Sequence, residues 1–168
     1  MKKIILSLFV LFITACSSLA QTQLEGKGRF SIGIDAGLPI GHTKDVYGSS
    51  IGGSFKYDFY VANNAAFTAS IGYIIFNMKS NLKSLGYTSQ SFIPFKVGVK
   101  YHFVKGFYSE GQIGVSIFKD LADQIDAAFA FAGGLGYNFG SVDAGIRYEG
   151  WAHDAIINQV AARLAYSF

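Results

Sequence analysis

Two sets of side chains in this sequence could do chemistry: three histidines, and eleven ionisable residues that recur at a spacing of two. His42 and His153 each have a carboxylate nearby in the chain, Asp45 and Asp154, that could orient an imidazole, and His102 falls in a run of alternating residues. Hydrolysis needs a base within hydrogen-bond reach of a nucleophile and a third group that orients the base. No spacing here supplies all three. Nor does the chain hold a metal-ligand cluster, a phosphate-cradling loop or a dinucleotide fingerprint. The reading is therefore not an enzyme, with no catalytic, metal or cofactor-binding residue.

The second set is Arg29, Asp35, Lys56, Asp58, Lys96, Lys100, Glu110, Asp143, Arg147, Glu149 and Arg163. Each sits in a stretch where polar and apolar residues alternate, on the side opposite rows of Phe, Tyr, Ile and Val. Six positive and five negative charges nearly cancel, which suits mutual neutralisation where water is scarce. A buried ion left unpaired costs several kcal/mol. On a soluble lipocalin-like carrier the same charges would face water, and the apolar rows would surround a ligand. On a membrane barrel they would form a lumen charge network and the apolar rows would face lipid, the preferred arrangement because a soluble barrel would have to cover those rows.

The elements that must position these residues are strands. The 168 residues include 20 Gly, 10 Tyr, 16 Phe and only 2 Pro, a composition that favours β-structure in one domain. Alternation at period two marks eight strands, near 29–38, 51–61, 66–76, 92–103, 107–117, 128–139, 142–151 and 160–168. Between them lie long polar stretches at 39–50, 77–91, 118–127 and 151–157, and tight turns near 63, 105 and 140. Beyond residue 20 no apolar run approaches the roughly 18 to 20 residues of a spanning helix. Long connections alternating with short ones are expected of an eight-stranded antiparallel up-and-down transmembrane β-barrel, with short periplasmic turns and longer extracellular loops. Tyr57, Phe59, Tyr73, Tyr101, Phe103, Tyr137, Phe139, Tyr148, Tyr166 and Phe168 fall near strand ends, where girdles at both membrane interfaces are expected.

The last strand, V-A-A-R-L-A-Y-S-F, ends on an aromatic residue. It resembles the closing strand and assembly signal of Gram-negative outer-membrane barrels, with Leu164, Tyr166 and Phe168 on one face. Together with the segments 131–139 (FAGGLGYNF) and 143–148 (DAGIRY), it makes residues 28–168 similar to the small outer-membrane β-barrel family of the OmpA transmembrane domain and OmpX-like, porin-family proteins. The resemblance implies outer-membrane lipid as surroundings and recognition by the barrel-assembly machinery through the C-terminal strand.

Residues 1–20 carry Lys2, Lys3, an apolar run and a small-residue tail, the form of a cleavable signal peptide cut after Ala20. A lipobox-like Ile13-Thr14-Ala15-Cys16 leaves lipidation at Cys16 as the alternative. Residues 21–27 are a polar entry segment, and 28–168 the barrel domain. The formal charge of +3 owes two units to the leader, so the mature chain shows no nucleic-acid footprint. The function expected is a non-enzymatic integral outer-membrane protein whose extracellular loops contact surface ligands. The alternatives are a narrow porin-like channel and, less favoured, a lipid-modifying enzyme or a soluble carrier.

Overall fold

The computed structural model describes residues 28–83, 89–119 and 125–168. The leader and the entry segment, with both ways of processing them, lie outside the described residues. Eight strands follow one another: β1 Gly28–Pro39, β2 Tyr47–Ala62, β3 Ala65–Met78, β4 Gln90–Val104, β5 Phe107–Lys119, β6 Ile125–Asn138, β7 Val142–Ala152 and β8 Ile156–Ser167. Each pairs antiparallel with the next, and β8 pairs back with β1, from Ser31↔Ser167 to Pro39↔Gln159. Closure removes the unpaired strand edges that a bilayer would not tolerate. No described helix is long and apolar enough to cross a membrane. The fold is a closed eight-stranded transmembrane β-barrel.

Side-chain direction follows from the alternation. Along β1, Ser31, Asp35 and Pro39 are buried while Phe30, Ile32, Ile34 and Leu38 are exposed. Along β4, Lys96 and Lys100 are buried while Ile93, Phe95, Val97, Val99, Tyr101 and Phe103 are exposed. A water-soluble protein buries the opposite set, so the carrier arrangement, with apolar rows inside and charges outside, is excluded. The outward row on β4 runs from Ile93 to Phe103. At ~3.3 Å per residue and a tilt of ~40° it spans ~25 Å, the height of an outer-membrane apolar band.

Three connections are tight. Asn63 and Asn64 join β2 to β3, Lys105 and Gly106 join β4 to β5, and residues 139–141 join β6 to β7. Gly106 and Gly140 both take φ +85°, a conformation that costs glycine little and other residues much. At the other end the connections are shorter than the sequence suggests. The first is residues 40–46, which hold the one-turn helix α1 Thr43–Val46, and the second is 79–89, which hold the one-turn helix α2 Ser80–Lys83. The remaining two are 120–124 and 153–155. The strands reach into polar sequence because every rung of a closed ladder finds a partner: Tyr47 pairs with Met78, and Ala152 with Ile156.

Two girdles were expected, and one is dense. Phe59, Tyr101, Phe103, Phe107, Tyr166 and Phe168 are exposed around the tight-turn end, with Phe107 against Tyr137 and Tyr166 against Phe168 at 4.6 and 5.2 Å between ring centroids. The loop-end rim is mostly aliphatic, with Leu38, Ile51, Ile93, Ile125 and Ile156 exposed, and Tyr73 and Phe129 among them. Tyr148, expected in a girdle, pairs with Gly133 and Val160, several rungs from either end.

Candidate functional site

Eight strands leave an interior that side chains can fill, and here two kinds of side chain fill it. The inward residues of β7 run Asp143, Gly145, Arg147, Glu149 and Trp151 from the tight-turn end to the loop end. Those of β4 run His102, Lys100, Gly98, Lys96, Pro94 and Phe92 in the same direction. Both strands pass from ionised to apolar.

At the loop end Tyr47, Ile74, Phe76, Phe92, Phe118, Ala128, Ala130 and Trp151 form a buried cluster, with Met78 and Ile157 packed against it. Phe76 meets Trp151 and Phe92 edge-on, at 5.4 and 5.6 Å between centroids, and Phe92 lies 5.3 Å from Phe118. Such contacts add to the area they bury. Tyr47 turns inward because the ladder shifts register between Tyr47 and Ser49, and its hydroxyl donates to Gln90 Oε1 at 2.7 Å. Sequence reasoning missed this plug. Parity carried one step past Glu149 places Trp151 inside, and parity back from Lys96 places Phe92 inside.

Below the plug the ion pairs form tiers. In the upper tier Glu149 holds Lys96 Nζ at 2.5 Å and Arg147 Nε at 3.1 Å, the second as an ion pair without hydrogen-bond geometry. Gln159 Nε2 donates to the second Glu149 oxygen at 2.7 Å, and Ser50 donates to Gln159 Oε1. Arg147 Nη2 also reaches Asp35 across the lumen at 2.8 Å, and Ser54 donates to Asp35 at 2.7 Å. In the middle tier Lys56 Nζ sits 3.0 Å from Glu110 Oε2, while Gln112 Nε2 donates to Glu110 Oε1 and to Thr68. In the lowest tier Lys100 Nζ bridges Asp58 at 2.7 Å and Asp143 at 3.4 Å. Tyr108 donates to Asp143 at 2.6 Å, and its ring centroid lies 4.3 Å from Lys100 Nζ.

Ten of the eleven charges named from sequence therefore line the lumen, and nine of them are ion-paired there. Arg163 is buried inside but has no carboxylate within 4 Å among the described residues; its Nη2 donates only to Ser31, at 3.5 Å. Arg29 stands apart at the tight-turn end, where it donates to the Gly140 carbonyl. Leu164, Tyr166 and Phe168, expected from the sequence as an assembly signal, all face outward.

The histidines do not converge. His42 is exposed at the start of α1, and His102 stacks on Tyr60 and lies tilted against Tyr108. His153 Nε2 lies 3.0 Å from Asp126 and 3.6 Å from Asp154, with its ring edge-on to Phe118. Among the described residues no group of three or more histidine, cysteine and carboxylate side chains could hold a metal ion.

No protein-family model and no curated protein matches the sequence. Solved structures do. Ail, the attachment invasion locus protein of Yersinia pestis, in complex with the heparin analogue sucrose octasulfate, superposes with a TM-score of 0.58 at 17% identity, covering 86% of this chain and 100% of that one. The N-terminal β-barrel domain of Pseudomonas aeruginosa OprF gives 0.58 at 10% identity, over 85% and 99%. A de novo designed transmembrane β-barrel gives 0.50 at 13% identity, over 83% and 95%. These likenesses show a shared fold, that of small outer-membrane β-barrels.

Proposed function

We propose that this chain is an integral outer-membrane protein acting as a non-enzymatic, non-conducting platform, which holds its loop end at the cell surface against ligands or lipid. The filled lumen carries this reading: an apolar plug closes one half, and cross-linked charges occupy the other. The fold shared with Ail and the OprF domain supports the outer membrane as its location, with the tight turns on the periplasmic side. Export would be directed by the leader, which would then be cleaved after Ala20 or, alternatively, processed with lipidation at Cys16. The outward Leu164, Tyr166 and Phe168 would then serve as the signal read by the assembly machinery.

Ail carries a heparin analogue in its structure, but a polyanion is a poor match to this loop end. In and beside its four connections the sequence has Lys44, Lys79, Lys83 and Lys119 against Asp45, Asp120, Asp123, Asp126 and Asp154, a balance without positive excess. The ligand class proposed is therefore neutral or mixed in charge. A narrow channel is the second reading, favoured by the small inward residues Ala130, Ala132, Gly134 and Gly136 of β6. In planar bilayers the refolded barrel is expected to give no unitary conductance steps. Regular steps from the heat-modifiable folded species would replace the platform with the channel.

A further inference from the structure

Closure gives the strand ends their partners, yet inside the wall the ladder between β3 and β4 is broken. Its rungs run from Ala65↔Tyr101 to Ile71↔Phe95 and resume from Ile74↔Phe92 to Phe76↔Gln90, in the same register on both sides. Gly72 opposite Pro94 and Tyr73 opposite Ile93 form no rung. The other ladders have no such gap among the described residues, and their register shifts lie at strand ends.

Pro94 is the cause. Proline has no N–H to give, and within sheets it is confined to edge strands, strand starts and bulges. A closed barrel has no edge, Pro94 is interior to β4, and the unchanged register excludes a bulge. The β4–β5 ladder passes intact through Pro94↔Ser116, so the missing donor is one that would face β3, and the Gly72 carbonyl loses its rung.

Both sides of the gap are apolar. Outside, Ile71, Tyr73, Ile93 and Phe95 are exposed, while inside, Ile74 and Phe92 of the plug are buried. Gly72 lays no side chain across the inner face, where an added Cβ would lie 3.2 Å from the Gly53 carbonyl and 3.5 Å from the Pro94 ring. On the outer face the Tyr73 hydroxyl donates to Ser91 at 3.0 Å, a side-chain clasp between strands that lack their backbone rungs. The next inward residue toward the tight turns is Lys96, paired with Glu149. Parting the strands at that level would bring ions to lipid at high cost, whereas at the gap it brings lipid to apolar rings.

We propose that the gap is a lateral hatch: β3 and β4 part at Gly72, Tyr73, Ile93 and Pro94, and acyl chains of the surrounding lipid reach the plug through it. The inference concerns the wall and stands whether or not the loop end acts as a platform.

Trp151 is the single tryptophan of the chain and lies 5.6 Å from Phe92 between ring centroids, so its fluorescence reports on the plug behind the hatch. The full chain is refolded into vesicles of phosphatidylcholine brominated on the acyl chains near the headgroup. Quenching of Trp151 is expected, and Pro94→Val, which restores the donor, should lose much of it. No quenching in the parent, or equal quenching in parent and variant, overturns the proposal. If the variant does not fold, amide exchange in the parent decides. The Gly72 N–H should exchange about tenfold faster than those of Ser70 and Ile74, which face the same neighbour by alternation. Exchange no faster than theirs overturns the hatch.

Discussion

The two halves of the lumen solve one problem in two ways. Toward the loops, rings on β3, β4, β5 and β7 fill the tube by contact, and an error in one position is shared among neighbours. Toward the tight turns, ion pairs fill it by bonding specific atoms, and an error strands a partner. Replacing a buried pair with apolar groups is often neutral, but removing one member of it is costly, because the other is left charged and dry. The polar half should therefore be the less forgiving, although the plug contains the larger side chains.

The sharpest break in that comparison is Arg147→Leu. It leaves Asp35 without an ion-pair partner and Glu149 with Lys96 alone, and should cost about 3–5 kcal/mol, read as the urea midpoint of the folded gel band. Lys44→Gln, on the exposed turn of α1, should stay within about 0.5 kcal/mol. Equal midpoints for the two variants would mean that the tiers contribute no more than a surface charge does.

Phe76→Ala comes next. Phe76 touches Tyr47, Phe92 and Trp151, and its removal should cost about 3 kcal/mol, at the low end for a buried aromatic because three rings can lean into the gap. The ion pairs beneath should survive, so the folded band should remain heat-modifiable. A loss as large as that of Arg147→Leu would put the plug and the tiers on equal footing.

The two halves also differ in how well the sequence announces them. From Ile93 to Phe103 the alternation is unbroken because Lys96, Lys100 and His102 each sit between apolar neighbours, and that contrast made the strands, their order and the lumen charges readable. In the plug the contrast vanishes. Ile74 and Phe76 point inward while Tyr73 and Ile75 point outward, so both faces are apolar and period two carries no sign. Polar residues around Tyr47, Met78 and Phe118 read as loops, yet a closed ladder continues through them and shortens the connections. The bulge that turns Tyr47 inward leaves no mark in the residue types, and the free guanidinium of Arg163 depends on which acids its neighbours occupy, a competition that spacing does not resolve.

The finest test of the contrast adds one carbon to the polar half. A Cβ on Gly136 would come within 2.3 Å of both the Tyr108 ring carbon Cζ and its hydroxyl oxygen, the atom that donates to Asp143. Tyr108 is buried beneath Lys100, so its hydroxyl cannot step aside without leaving that carboxylate. Gly136→Ala should therefore cost about 1–2 kcal/mol, being about 1.5–3 kcal/mol for a lost hydrogen bond to a charged group offset by about 0.4–1 kcal/mol for the lower chain entropy of alanine in the unfolded state. Tyr108→Phe removes the same bond but keeps the ring carbons, so Gly136→Ala in that background should still cost what it takes to move the ring, and the two changes should add only in part because the bond to Asp143 can be lost once. If the two changes add in full, the ring and the wall absorb the added carbon with the bond to Asp143 intact, and the lowest tier would tolerate error in the way the plug does.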